Sequence, residues 1–583
     1  MKGFFKIFFA SLLALIIFSL LAFFFFVAVI GSLASKERVR VEAKSVIVLD
    51  LGQHFNEQLK ENPLGVLSSE HEDVPGLYDV IRLLQKAKTD KDISGIYIVA
   101  SVNTNGFAAS EEIRNALLDF KKSGKFVLAY GDVITQRAYG IANAADKIYV
   151  SPQGFVEWFG FSVNYAFLKG TLEKLDIEPQ VFYAGKFKSA TEPFRTDKMT
   201  PENQLQTSIW VNDLYSDLLM KTAEARKMDT ATLHQLASDG KIQNAKDAVD
   251  NKIVDGLKYD DEVKDEIKNR LKLDKYERIN FISIARYLSA NDLGKTSGQK
   301  IALIFAEGDI IDGKSEQGRI GSETYRNIIR KARLDQSIKA IVFRVNSGGG
   351  SALASENIWR ELSLAKKEKP VVVSFGDVAA SGGYYISCAA DSIFALPTTI
   401  TGSIGVFGII PNMQAFFKNK LGITFDGVKT GPYADMMTIT KPMNENEKKM
   451  IQAEIDRIYA QFKQRVADGR KMDIAFADSI GQGRVWTGVR AKDIGLIDRF
   501  GGVDDAVKCA ARMAKLSDYR IREFPETTNI IDRILGKKDP LNYSDKIKEE
   551  LGEENYKIFM ELKRVKEMSN TIQARLPFQF FIR

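Results

Sequence analysis

Residues 7–30 form an uncharged, almost wholly apolar run of 24 residues, with Lys2 and Lys6 before it and Lys36, Arg38 and Arg40 after it. As a helix rising 1.5 Å per residue it would span roughly 36 Å, enough for the hydrocarbon core of a bilayer. A cleaved secretory signal is the rival, because Ser32-Leu33-Ala34 fits a small-x-small cleavage site. The apolar region of such a signal is ordinarily only about 7–15 residues long. The expectation is therefore an uncleaved anchor over residues 1–35, with the short lysine-bearing N-terminus inside and the remaining mass outside.

Beyond the anchor the period changes. Residues 45–51, 93–100 and 126–130 read as strands, and helical patterns near 77–87 and 110–122 separate them. Residues 54–75 are polar and loop-like. Strands alternating with helices predict an α/β fold with a largely parallel sheet.

The pattern then recurs. ISGIYIV at 93–99 answers to IKAIVFR at 338–344, and Ala109-Ser110-Glu111 answers to Ala354-Ser355-Glu356. YGDVITQRAYGIANAADKIYV at 130–150 answers to FGDVAASGGYYISCAADSIFA at 375–395, and all three pairs lie 245 residues apart. Arg226-Lys227-Met228-Asp229 returns as Arg470-Lys471-Met472-Asp473, and Ala245-Lys246-Asp247 as Ala491-Lys492-Asp493. Two tandem copies of one α/β domain follow, over 36–292 and 293–519, joined by the polar stretch near 290–300. Residues 520–583 are a charged tail, helix-prone around 544–570, whose apolar tip at 576–581 is too short to cross a membrane and is expected to pack on its own domain.

Charge and cysteine content remove some function classes. The net charge of +7 is spread along the chain without a dense basic run, so nucleic acid is not expected as a partner. Cys388 and Cys509 build no disulfide framework and lack metal-ligand spacing. Cys388 reads as a small packed residue.

The candidate chemistry lies in residues 371–391. A strand at 371–375 leads through Gly376, Asp377 and small residues to Ser381-Gly382-Gly383 and a helix-like YYISCAA. A strand that turns sharply into a helix exposes its turn residue and leaves helix N-terminal N–H groups unpaired, which suits a nucleophilic serine with an oxyanion held by backbone donors. Close packing of a Gly/Ala-rich helix on a sheet explains the same residues without chemistry. The two copies differ here. Asn346-Ser347-Gly348-Gly349-Gly350-Ser351 of the second copy faces Asn103-Thr104-Asn105 at its three glycines, while Ser381 and Gly382 face Gln136 and Arg137. The first copy has lost both the serine and its glycine scaffold.

A serine needs a base. The three histidines, His54, His71 and His234, all lie in the first half and in no repeated motif. Lysine is the other option, since desolvation lowers its pKa toward the working range of a base. Gly185-Lys186-Phe187-Lys188-Ser189-Ala190 of the first copy stands where the second has Thr430-Gly431-Pro432-Tyr433-Ala434. Either lysine taken alone is more simply a solvated surface residue.

AGKFKSATEPF at 184–194, RVNSGGGS at 344–351, VAASGGYY at 378–385 and TGSIGVFG at 401–408 resemble the signal peptide peptidase A (protease IV) family in its long, duplicated, membrane-anchored form. The resemblance covers nearly the whole chain. It implies the Clp protease and crotonase fold, Ser381 as nucleophile, Lys188 as general base, and Ser403 as the serine that orients the lysine. The N–H of Gly382 and one from Gly349 or Gly350 would form the oxyanion hole. Gly348 departs from the family's NSPGG, where proline is common, and loosens that loop. By the same resemblance the chain is a Ser-Lys endopeptidase of the bacterial inner membrane with its catalytic body on the periplasmic side. It would need no metal or nucleotide cofactor, degrade signal peptides and other extended apolar peptides, and assemble as a ring-like homo-oligomer such as a tetramer. An acyl-coenzyme A enzyme of the same superfamily and a non-catalytic membrane scaffold are the alternatives; the exported body speaks against the first and the complementary losses against the second.

Overall fold

A computed structural model of the 583-residue chain describes residues 2–34, 40–59, 73–291, 293–294, 297–316, 318–526 and 572–576. In the first half the strands are β1 (Ser45–Asp50), β2 (Ile93–Val99), β3 (Phe126–Ile134), β4 (Lys147–Val156), β5 (Glu178–Ala184), β6 (Gly256–Leu257) and β7 (Phe281–Ser283). All but β5 form one sheet in the order β6-β4-β3-β2-β1-β7, parallel throughout. Helices Leu77–Thr89 and Phe107–Lys121 supply crossovers, as the alternating pattern requires.

The second half repeats the scheme. Its strands are β8 (Gln299–Glu307), β9 (Asp309–Ile311), β10 (Arg319–Gly321), β11 (Ile338–Ser347), β12 (Gly349–Ser351), β13 (Val371–Ala380), β14 (Ser392–Ala395), β15 (Ile400–Gly402), β16 (Val406–Asn412), β17 (Val485–Thr487), β18 (Arg499–Phe500), β19 (Tyr519–Phe524) and β20 (Ile572–Arg575). The main sheet runs β17-β15-β13-β11-β8-β19, with β14 and β18 branching from β13. Its pairings are parallel except β15 with β17. Ile341, Val342 and Phe343 of β11 are buried on both faces, which is why these strands read as unbroken apolar runs rather than as alternating ones.

A third sheet, β10-β9-β12-β20-β16-β5, joins the copies. In it β5 of the first copy pairs antiparallel with β16 of the second over seven residues, from Glu178 against Asn412 to Ala184 against Val406. The copies also share apolar core: Ile47, Leu49 and Ile98 belong to one cluster with Ile301, Leu303, Val342 and Val507. Arg344, fully buried on β11, donates to Glu57 at 2.8 and 3.2 Å and to Glu112 at 2.6 Å, both carboxylates belonging to the first copy. Removing one partner of such a pair would strand a buried charge at a cost of about 3–5 kcal/mol. Glu57 lies in the polar stretch read from sequence as loop, and its role as a buried ion partner was not foreseeable from that polarity.

The apolar N-terminal run does form one helix, Lys2–Ala34, with Ile7, Phe18 and Phe25 among its exposed side chains. Among the described residues, however, no helix is long and apolar enough to cross a membrane. A transmembrane helix is therefore not established by the fold. The tail also differs from a purely helical one. Tyr519–Phe524 extends the main sheet past residue 519, and Ile572–Arg575 is a strand; the helix expected at 544–570 lies outside the described residues.

Candidate active site

Strand β13 ends at Ala380, and Ser381 turns the chain into the helix Gly382–Ser387 with φ 54° and ψ −114°. That backbone is strained for a residue with a Cβ and is held by its surroundings: the Ser381 N–H donates to Gly402 O at 2.8 Å and the Tyr385 N–H donates to Ser381 O at 2.8 Å. The glycines that follow are set by contact, since a Cβ at Gly383 would stand 2.4 Å from the Ser347 carbonyl oxygen. The Gly382 N–H, at the first position of its helix, has no place in the helical ladder and is free to meet a ligand oxygen.

Lys188 arrives from the other copy. It follows β5, and the loop that carries it rests on the second copy's residues 481–485. The Phe187 N–H donates to Gln482 O at 2.8 Å. Gln206, on the helix Pro201–Arg226, bridges the two: its Nε2 donates to Phe187 O at 3.1 Å and its Oε1 accepts from the Val485 N–H at 3.1 Å. The result is that Lys188 Nζ lies 2.9 Å from Ser381 Oγ, 3.0 Å from Ser403 Oγ and 3.2 Å from Ser403 O. All three meet within one chain. Ser381 and Ser403 are 0% exposed and Lys188 1% exposed. Burial strips the ammonium of water and pushes the lysine pKa well below its ordinary value. Lys186, two residues earlier, is exposed and lies over the Phe187 ring at 5.3 Å.

The glycine strand closes the other side. Gly349 Nα–H donates to Ser347 Oγ at 3.1 Å, so that amide is engaged within its own loop. Between β12 and β16 lies β20, antiparallel to both, with Gly350 opposite Ala574 and Phe407 opposite Gln573. The Ala574 carbonyl oxygen is tucked against the elbow: a Cβ at Gly349 would stand 2.0 Å from it and 2.6 Å from Gly382 N.

Other candidates are placed elsewhere. His54 and His234 are exposed, within 3.1 Å of Thr104 O and 3.4 Å of Tyr215 Oη respectively; His71 lies outside the described residues. Burial pushes the Cys388 thiol up to about 12, as suits a packed, unreactive residue. In the first copy Gln136, at the place of Ser381, accepts the Phe159 and Gly160 N–H groups at 2.9 and 3.1 Å, so that position has become structural. Sequence reading missed Gln206, which nothing in its helical context marks. It also missed β20, although Ile572-Gln573-Ala574-Arg575-Leu576 alternates apolar and polar residues as a half-buried strand does.

Peptidase family S49 matches the chain twice, over residues 119–274 and 363–517. "Protease 4" of Salmonella typhi is 36% identical, covering 88% of this chain and 86% of that protein. The chloroplastic "Serine protease SPPA" of Arabidopsis thaliana is 32% identical over 82% of this chain and 70% of its own length. "Protease 4" of Haemophilus influenzae is 32% identical over 85% of this chain and 84% of its own length. The chain belongs to peptidase family S49, as a serine peptidase in which the family domain occurs twice. A solved ClpP1 from Listeria monocytogenes matches 35% of this chain at 18% identity with a TM-score of 0.24. That score carries no weight for the fold, which rests on the two parallel sheets.

Proposed function

We propose that this serine peptidase is a membrane-anchored endopeptidase of the bacterial inner membrane that cuts extended apolar peptides, remnant signal peptides among them, with Ser381 as nucleophile and Lys188 as general base. The observation that carries the reading is the 2.9 Å contact between two buried side chains supplied by different copies. A neutral amine has two N–H groups and one lone pair. Donating the two to Ser403 Oγ and Ser403 O leaves the lone pair for the Ser381 hydroxyl proton. Lys188 takes that proton as Ser381 Oγ attacks a peptide carbonyl, and returns it to the leaving amine; water then opens the ester by the same route. The Gly382 N–H is one oxyanion donor, and the register that sets Gly350 opposite Ala574 favours Gly350 over the engaged Gly349 as the other. Ser381→Ala should reduce cleavage of a short apolar peptide to background with an unchanged melting temperature. Retention of a tenth of the activity or more would sink the assignment.

Ser403 acts as a positioning residue, so Ser403→Ala should cost less. Loss of one hydrogen bond to the lysine is expected to lower kcat about 10- to 100-fold with KM nearly unchanged. The pH–rate curve should move, because the remaining contacts hold the amine differently. A fall in substrate affinity alone would assign Ser403 to binding instead.

The anchor reading rests on the apolar helix Lys2–Ala34, whose exposed leucine, isoleucine and phenylalanine side chains each forfeit about 1.5–3 kcal/mol of burial in water. A bilayer removes that penalty. Protease added outside intact spheroplasts should clip the chain beyond residue 35. Full protection until lysis would overturn the orientation.

A further inference from the structure

The first copy has a cavity where the second has its serine. Gln136 and Arg137, at the places of Ser381 and Gly382, meet there with Asn103 from the place of the glycine loop, and with Arg114, Phe107 and Phe161. The cavity measures about 40 Å³. A water takes about 10–15 Å³ of such a volume, so there is room for about three water-sized atoms, as many as a carboxylate group contains. We propose that this cavity is a second ligand site, which takes a carboxylate or a comparably small anion on Arg114, Arg137 and the Gln136 amide. The site is separate from Ser381 and does not depend on the Ser381–Lys188 reading.

The Gln136 side chain is 4% exposed. Its Oε1 accepts both the Phe159 and the Gly160 N–H, which fixes the orientation of the amide. Its Nε2 then has no hydrogen-bond partner among the described residues, a costly state for a buried donor. Arg114, 5% exposed, donates from Nε to Asn143 Oδ1 at 2.8 Å. Arg137 donates to Asn105 O and lies 5.4 Å over the Phe107 ring. Among the described residues neither arginine has a carboxylate in an ion pair, although buried charges are ordinarily paired. Burial pushes both guanidinium pKa values down, and the pull of Glu224, Asp217 and Glu111 on Arg114, or of Asp377 on Arg137, does not offset it. The two carboxylates that line the cavity are already engaged. Lys221 Nζ lies 3.1 Å from Glu111 Oε2 and 2.6 Å from Asp217 Oδ2, and Thr398 Oγ1 donates to Glu111 at 2.9 Å. With Lys221 counted, three cations face two carboxylates, which leaves one positive charge for a ligand. The remaining wall is apolar: the Phe107 and Phe161 rings, 5.4 Å apart, stand with Leu214 and Leu218. A charged end and an apolar wall suit a carboxylate on a short apolar tail. A peptidase releases such a group with every cut, as the new C-terminus of its product; a free small anion is the other source.

Equilibrium dialysis of the full-length chain in detergent against radiolabelled acetate, in chloride-free buffer, tests the site. Binding should saturate at one acetate per chain. Gln136→Glu keeps the acceptor for Phe159 and Gly160 but puts an oxygen where the donor stood, and Arg114→Met removes a cation. Each should weaken acetate binding at least tenfold while cleavage of a short apolar peptide stays at the parental rate. Gly140→Ala is a third variant that favours its own helix. Gly140 lines the cavity, and a Cβ there would meet only Leu218 Cδ1, at 3.6 Å, so the added methyl takes ligand space without a clash and should also weaken binding. Displacement of acetate by N-acetylalanine but not by its amide would identify a peptide's C-terminal carboxylate; displacement by formate and chloride alone would identify a free small anion, and either upholds the site. Absence of saturable uptake, or equal affinity in the parent and all three variants, would leave the cavity to water and overturn the proposal.

Discussion

Lys188→Ala is expected to lower kcat on a short apolar peptide at pH 8 by about 10³-fold or more, while Lys186→Ala stays within about twofold. The two lysines sit two residues apart in one motif, yet only Lys188 reaches Ser381 and Ser403, and Lys186 is exposed over Phe187. Their environments decide the difference. A lysine left at its solution pKa near 10.4 would be neutral in only about 0.04% of molecules at pH 7, too few for an efficient base. Burial drives the Lys188 pKa well below that value. If Lys188 is the base, as proposed, the neutral amine is the working form, so log kcat/KM should rise with pH up to the folded-state pKa and level off above it. The sign for stability follows from the same shift. Between the lowered folded pKa and the unfolded one, the unfolded chain binds the extra proton, so the penalty from this residue is absent above the unfolded pKa and grows as pH falls toward the folded one. Lys188→Met should therefore flatten that slope in denaturant titrations while abolishing turnover. Equal losses for Lys186→Ala and Lys188→Ala would remove the dyad.

Much of this site was legible because chemistry and duplication leave marks in sequence. Ser381-Gly382-Gly383 after an apolar run announces the elbow, and the structure gives its reason in the close approach of Ser347 O to Gly383. The opposed losses, Gln136 for Ser381 in one copy and an ordinary Thr430-Gly431-Pro432 stretch for the lysine loop in the other, pointed to a composite site. What stayed hidden is what depends on long-range pairing. No local pattern says that β5 leaves the first copy's sheet for β16 of the second, because a strand's partner is not written in its own residues. Glu57 reads as a loop carboxylate until Arg344 is found beside it. The tail misled for another reason: the charged, helix-prone stretch before it outweighed five residues of clean alternation, and a strand that short is credible only once its neighbours β12 and β16 are known.

Gly483→Val should lower kcat/KM about 100-fold although residue 483 brings no side chain of its own to Ser381, Lys188 and Ser403. Gly483 has φ +74°, a conformation that costs a residue with a Cβ roughly 1–2 kcal/mol. The larger effect is steric. A Cβ there would stand 2.7 Å from both the N and the Cβ of Lys188 and 2.8 Å from its Cα, so backbone, not a flexible side-chain end, blocks it. Gly483 cannot retreat, since its N–H is held by Ile404 O at 2.7 Å and a neighbouring amide, Ser403 N–H, by Arg484 O at 2.6 Å. The lysine loop must give way instead, and with Lys188 as the proposed base a displacement of about 1 Å is enough for a loss of that size. Gly427→Ala serves as the control, because nothing lies within 4 Å of a Cβ at that position. Peptide turnover at pH 8 and thermal melting should be measured together. A folded Gly483→Val chain whose kcat/KM stays within threefold of the parent would show that the second copy does not set the position of the first copy's lysine.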